Sequence, residues 1–388
     1  MDSIRGRTAI VGVGDTEVGK IPHRSPTGLC IDAAMRALAD AGIGKDAVDG
    51  LVTCNSMAEP HMYHAQAMAE YLGISPSYCV SAGAGGSTTF TVLYQAALAI
   101  DAGLCDTVLI AMADSLRTGL SREQAMVMQS SSGHPQFETP YGATVPGYYA
   151  LIARAYMHRY GATLEHMAAV AVTAREHAVL HPGAQMRAPL TVEDVMASRP
   201  IADPLRLLDC SLVSDGGAAV VLTAADRAAD HPHVPVHLLG AGEGHGHEHI
   251  SQARDLTTSF ARHAGERAYA MAGLGPSDMD FVELYDCFTP VVLIELEDLG
   301  FCGPGEAGPF VAEGNTRIGG ALPMNTHGGL LSHSHSGNPG SMFALTESVR
   351  QLRGDAGERQ VQGAEVALLH AQGGIMSSHC TVILGRGS

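Results

Sequence analysis

Two stretches, TAIVGVGD (8–15) and VHLLGAGE (236–243), decide the fold, because each opens one half of a duplicated pattern. The first is followed by a helical stretch, VDGLVTC (48–54), another helix, DTVLIAMAD (106–114) and GGAAVVLT (216–223). The second is followed by a helix, DFVELYDC (280–287), another helix, AEVALLHAQGG (364–374) and HCTVILG (379–385). Each half starts strand-helix-strand and ends on a pair of apolar strands. A repeat of such long period reads as one architecture used twice. It predicts two similar α/β layers packed together, with ligand chemistry at their junction.

Working outward, the continuous β-branched run of TAIVGVGD suits a strand of a parallel sheet covered on both faces. SPTGLCIDAAMRALADAGI (25–43) reads as the next helix, N-capped by Ser25 or Thr27 and stopped at Gly42. AGAGGSTTFTVLYQAALAIDAG (82–103) is a glycine-rich turn entering an alanine-rich helix, of a kind that can be buried all round at the centre of a layered fold. Residues 115–205 then interrupt the repeat. They hold the polar, Gly/Pro-punctuated loop SSSGHPQFETPYGATVPG (130–147) and two amphipathic helices, YYALIARAYMHRYG and TLEHMAAVAVTAREHAVLH. The expected division is an N-terminal half over 1–114 and 206–230, an inserted lid over 115–205, and a C-terminal half over 231–388.

Composition narrows the function class. With 388 residues, 46% of them hydrophobic, the chain has room for two or three domains and a sizeable core. A formal charge of −17 argues against nucleic acid, whose phosphates need a Lys/Arg surface. No apolar run is long enough to span a bilayer, and MDSIRGRTAIVG lacks a signal-peptide core. The eight cysteines are scattered without a CxxC pair, as buried thiols are in a reducing compartment, so a cytoplasmic protein is expected. HGHEH (245–249), with His231, His233 and His237, matches no closed zinc spacing and reads as a solvated loop; no metal is expected. Asp209-Cys210 and Ser214-Asp215-Gly216-Gly217 read as turn chemistry without a catalytic role.

Four turns fall where strands end: AGAGGS (82–87), YDCFTP (285–290), NTHGGLLSHSHSGNPGS (325–341) and AQGGIMSSH (371–379). Glycine lets backbone N–H groups approach a ligand, and a helix N-terminus there favours developing negative charge. All four sit at corresponding ends of the two repeats, which points to one shared site.

On these turns the chain resembles the thiolase superfamily, in the branch of sterol-carrier-linked thiolases and thiolase-like acyl-CoA aldolases. The likeness spans essentially the whole sequence and implies a thiolase fold: duplicated βαβαβαββ halves in five layers with an inserted lid. The thiolases of that branch read Cys-Ser-Thr-Gly-Ser-Thr in the first turn. Aligned on Gly86-Ser87-Thr88, their nucleophile falls on Gly83. Their His-Asp-Cys-Phe turn is here Tyr285-Asp286-Cys287-Phe288. Their Asn-x-x-Gly-Gly is Asn325-Thr326-His327-Gly328-Gly329, with His335 at the later histidine. Their last turn, where many thiolases hold a second catalytic cysteine, is Ala371-Gln372-Gly373-Gly374.

A narrower likeness is carried by TPYG, AYMHRYGAT, PLRLLDCSLVSDGGA, LYDCFTP, LEDLGFCGPGEA, LPMNTHGG and VRQLRG, which are similar to the steroid side-chain aldolases. Those enzymes lack the thiolase cysteine and place tyrosine at the Tyr285 position; a second tyrosine of theirs falls on His335. The resemblance implies retro-aldol cleavage of a β-hydroxyacyl-CoA, with CoA carried by the substrate and no other cofactor. It also implies a homodimer paired through the edge strand near 78–84, and a small zinc-ribbon/OB-fold acyl-CoA-binding partner that completes an α2β2 heterotetramer.

The chemistry of the swap follows from the side chains. Claisen chemistry through an acyl-enzyme needs a thiolate, and glycine has nothing to acylate. A retro-aldol needs a base for the β-hydroxyl, donors for the enolate oxygen and an acid for Cα. Tyr285 and His335 are the expected catalytic pair, with His327 as a further candidate and His333 as a rival in the same loop. Gly83, Gly86, Ser87, Asn325, Gly328, Gly329, Gly373 and Gly374 are the expected oxyanion and substrate contacts. Acyl transfer through a relocated Cys79, Cys287 or Cys380, and a catalytically silent scaffold, are the competing readings.

Overall fold

The computed structural model describes residues 4–387. Its chain order begins β1 (Thr8–Asp15), α1 (Pro26–Asp40), β2 (Gly50–Thr53), α2 (His64–Leu72), β3 (Tyr78–Ser81), α3 (Thr88–Asp101) and β4 (Thr107–Ser115). The segment after β4 holds α4 (Arg122–Ser130), α5 (Val145–Tyr160), α6 (Leu164–Leu180), α7 (Val192–Ala197) and the hairpin β5 (Pro200–Ala202) and β6 (Leu205–Arg206). β7 (Asp215–Ala224) completes the first half. The second half runs β8 (Val236–His245), α8 (Ala261–Ala272), β9 (Phe281–Glu283), α9 (Thr289–Asp298), α10 (Ala307–Ala312), α11 (Met342–Arg353), β10 (Val366–Gly373) and β11 (Ser378–Arg386).

The duplication is visible in the strand order β3-β2-β4-β7-β1-β8-β11-β10-β9. From the outer edge inward, the first half reads third, second, fourth, fifth, first. The second half mirrors it, with its third strand reduced to a single bridge between Val282 and Met324. The halves join where β1 and β8 pair antiparallel at Ala9–His237 and Ile10–Val236. β1 is antiparallel to β7 as well. The parallel neighbours expected for it are therefore wrong, because continuous apolarity reports burial on two faces and not strand direction.

Both faces of the sheet are covered. In β4, Leu109, Ala111 and Ala113 pack toward α1 and α2, while Val108, Ile110 and Met112 join the inner core with α3. α3 and α11 lie between the two wings and touch strands of both, and α8 covers β8 and β11 from outside. The five layers are thus α1/α2, first wing, α3/α11, second wing and α8. The glycines of the two opening motifs do the same work in each half. A Cβ at Gly12 or Gly14 would overlap the α1 backbone at Ala37 or Ala33, and one at Gly240 or Gly242 would overlap the α8 backbone at Ala268 or Ala264. Helix and strand can approach this closely only where the strand has no side chain. Ser25 caps α1 by accepting the Gly28 N–H at 3.1 Å, with Pro26 in its first turn.

Candidate active site

A cavity of about 320 Å³ lies where the turns after β9 and β10, the N-terminus of α3 and the His335 loop converge. It falls within the size of small-molecule sites. Apolar residues dominate its walls: Ala125 and Met128 of α4, Val145 and Pro146 of α5, Ile201, Leu207, Leu212 and Phe288. Among the described residues, no Asp, Glu, Lys or Arg lines it.

Tyr285 and His335 both line this cavity, and the tyrosine hydroxyl lies 3.1 Å from His335 Nε2. Tyr285 leaves the end of β9 with its backbone N–H held by the buried Glu295 carboxyl at 3.0 Å. His335 is fixed by Ser214, which accepts its backbone N–H and donates its own N–H to the His335 carbonyl, both at 3.0 Å. Ser214, read from sequence as plain turn chemistry, therefore sets the position of a cavity residue. Asp286 ties the two turns together. Its carboxylate accepts the Leu330 N–H at 2.7 Å and the Leu331 N–H at 3.3 Å, and a Cβ at Gly329 (φ 62°) would overlap it.

Burial sets the protonation of the pair. It lifts the Tyr285 hydroxyl well above its ordinary range, with Cys287, Asp286 and Glu295 adding to the effect. Burial also pushes the His335 imidazole down to about 4. At neutral pH the pair rests as phenol and neutral imidazole. One ring nitrogen of His335 is bare, so a proton can pass between the phenol and the ring without either starting charged.

The other expected contacts divide. Gly86, Gly373 and Gly374 line the cavity, and a Cβ at Gly86 would overlap the Tyr285 hydroxyl. Gly83 does not line it; a Cβ there would meet nothing within 4 Å. Ser87 turns inward, donating to the Ala84 carbonyl at 2.7 Å. Asn325 (φ 53°) is spent on the backbone of Leu284, accepting its N–H at 2.7 Å and donating to its carbonyl at 3.0 Å. A Cβ at Gly328 would press on Ala178.

His327 is not brought to the cavity. It is buried beneath it, with Nδ1 2.9 Å from Glu283 Oε2. Burial opposes its charge, but the Glu283 carboxylate wins and raises its pKa. Around it Thr326 and Gln351 bond Glu347, which Arg359 pairs at 2.8 Å. His333 sits between the rings of His181 and Phe343, also away from the cavity.

Among the cavity residues that the sequence reading of the site did not include are Tyr149 and Gln372. Tyr149 of α5 reaches in from the segment after β4 with its ring stacked on Phe288, centroids 4.4 Å apart. Gln372 donates to its hydroxyl at 2.5 Å and to Cys287 Sγ at 3.2 Å. Tyr149 sits in a run that reads as an ordinary amphipathic helix, where tyrosine is normally a packing residue. The cavity's two cysteines are held as neutral thiols. Burial drives Cys287 well above its ordinary range and Cys210 up to about 12.

Comparison with known proteins shows the family of this chain. The thiolase C-terminal domain-like family matches residues 242–386. The chain is 38% identical to a steroid side-chain-cleaving aldolase of Thermomonospora curvata, over 91% of this chain and 92% of that protein. It is 37% identical to the 17-hydroxy-3-oxo-4-pregnene-20-carboxyl-CoA lyase of Mycobacterium tuberculosis, over 97% and 98%. A solved Ltp2-ChsH2(DUF35) aldolase superposes with a TM-score of 0.89 at 37% identity, covering 99% of this chain and 98% of that one. The chain belongs to the thiolase superfamily, in its branch of thiolase-like acyl-CoA aldolases.

Proposed function

We propose that this enzyme is a carbon–carbon lyase that splits a β-hydroxyacyl-CoA by retro-aldol cleavage into a ketone or aldehyde and a shorter acyl-CoA. The observation that carries this reading is the neutral Tyr285–His335 pair, bonded at 3.1 Å inside a cavity without charged side chains. Tyr285 passes its proton to Nε2 as its oxygen takes the β-hydroxyl proton. The Cα–Cβ pair then moves into the thioester as an enolate, and the carbonyl product leaves. The reaction is redox-neutral, and the CoA thioester itself is the electron sink, so no further cofactor enters.

The apolar walls fit a bulky hydrocarbon such as a steroid side chain, the substrate class named for the two curated relatives. Acyl transfer through cysteine is the weaker reading, because both cavity thiols are held protonated. Incubation with a panel of β-hydroxyacyl-CoAs tests the proposal. Paired carbonyl and shorter acyl-CoA products with unmodified protein mass support it. A trapped acyl-enzyme overturns it.

The uncharged cavity also bears on partners, since CoA phosphates need cations that its walls do not supply. This fits a zinc-ribbon/OB-fold partner that binds the nucleotide end, and the solved neighbour carries a DUF35 component in its name. A homodimer fits the open side of β3, the sheet edge, beside the exposed Met62, Tyr63 and Tyr71. The resulting assembly is an α2β2 heterotetramer, tested by mass measurement of the co-expressed pair; activity from an isolated monomer would contradict it. No helix among the described residues is long and apolar enough to cross a membrane, and eight unpaired cysteines fit the cytoplasm.

A further inference from the structure

Tyr149 and Tyr285 enter the same cavity from different walls, one from helix α5 and the other from the end of β9. Their partners have opposite polarity. The Tyr285 hydroxyl meets Nε2 of His335, which takes a proton in the tautomer that carries its hydrogen on Nδ1. The Tyr149 oxygen instead receives an N–H from Gln372, at 2.5 Å, and that amide is locked by the Met376 N–H on its own oxygen at 3.0 Å. An acceptor beside a hydroxyl helps its oxygen act as a base. A donor on the oxygen steadies the phenolate left behind when the proton departs, so it helps the group act as an acid.

The hydrogen bond that the Tyr149 hydroxyl donates is also a long one. In the free site the hydroxyl points at the Gly374 carbonyl from 3.1 Å, on the long side for an O–H···O bond, whose usual range ends near 3.0 Å. Burial keeps the hydroxyl protonated, and Cys287 reinforces this while the Gln372 bond works the other way. A thioester enolate is basic enough to take a phenol proton.

Resting on the retro-aldol reading, we propose that Tyr149 is a second catalytic residue, the acid that protonates Cα of the enolate after Tyr285 and His335 have taken the β-hydroxyl proton. The step balances. The Cα–Cβ pair becomes the enolate, its electrons form the new Cα–H bond with the Tyr149 proton, and a Tyr149 phenolate remains. The proton stored on His335 returns to that phenolate through solvent admitted as the carbonyl product leaves. No oxidant or cofactor is consumed.

The test uses the full chain, in its complex where the complex is what turns over, and a 2-methyl-3-hydroxyacyl-CoA cleaved in D2O. The wild type should release [2-²H]propionyl-CoA of a single configuration. Tyr149→Phe keeps the ring stacked on Phe288 but lacks the proton; it should lower kcat roughly 100-fold and give both configurations, because solvent then quenches the enolate from either side. Gln372→Met keeps the hydroxyl and removes the supporting N–H, and it should erode the single configuration in the same direction. A folded Tyr149→Phe enzyme that retains one configuration overturns the assignment whatever its rate, and should that variant not fold, an unaltered product from Gln372→Met overturns it. A wild type that forms no propionyl-CoA from any such substrate fails the retro-aldol reading itself, a result distinguishable from the first two.

Discussion

Gly86 is where the chemistry and the packing can be separated by one methyl group. A Cβ there would lie closer than 3.0 Å to the Tyr285 hydroxyl and ring carbon and to the Gln372 carbonyl oxygen. The carbonyl belongs to β10, which is paired with β11 at Gln372–His379, and backbone gives way less easily than a side chain, so the tyrosine must move. Restoring an ordinary contact displaces the hydroxyl by roughly 1 Å. That is enough to break its 3.1 Å bond to His335. Misplacement of that size costs about 100-fold in rate, and overpacking costs about 1–3 kcal/mol of stability. Steady-state kcat of Gly86→Ala on a β-hydroxyacyl-CoA, with its thermal melting curve, measures both. Gly83→Cys is the control, since its side chain would meet open space. It should keep wild-type stability and lyase rate and form no acyl-enzyme. Gly86→Ala at wild-type kcat would refute this account of how Tyr285 is placed.

Further outcomes follow from the buried charges. Burial alone would raise Glu347, but the Arg359 guanidinium brings it from 4.5 down to about 2. A depressed carboxyl stabilises the fold above its unfolded pKa and loses that as pH falls through its folded one. The stability gap between wild type and Glu347→Gln should therefore shrink by about 3 kcal/mol between pH 5 and pH 2, read by denaturant titration; a constant gap would contradict the pairing. Asp286 has the opposite sign, because burial raises it to about 6 and its neutral form is favoured in the fold, so its ionisation weakens the fold as pH rises. Arg359→Met should cost about 3–5 kcal/mol at neutral pH by stranding the Glu347 charge, and little of that would remain in an Arg359→Met, Glu347→Gln double variant.

Much of the fold was legible because duplication and close packing leave sequence marks. The glycines of GVGD and GAGE mark where α1 and α8 lie against their strands, and the even apolarity around α3 marks a helix between two wings. The β1–β8 seam was not legible, since pairing partners across a repeat leave no local pattern. At the site, Tyr285 and His335 stand at fixed distances from recognisable turns. Which glycine of the 82–87 turn faces them could not be counted along the chain. The turn folds back on itself through an Ala84–Gly86 bridge, and Gly86 faces the tyrosine while Gly83 does not. His327 reads as a second candidate behind His335 in a histidine-rich loop. Its buried partner, Glu283, lies 44 positions earlier and is brought beside it only by folding.

Replacing Tyr285 with phenylalanine tests the central claim most directly, because it removes one hydroxyl and leaves the buried ring. The variant should melt like the wild type and turn over β-hydroxyacyl-CoA about 100- to 10,000-fold more slowly, the usual loss for a positioned acid or base. A folded Tyr285→Phe enzyme cleaving at the wild-type rate would contradict the account.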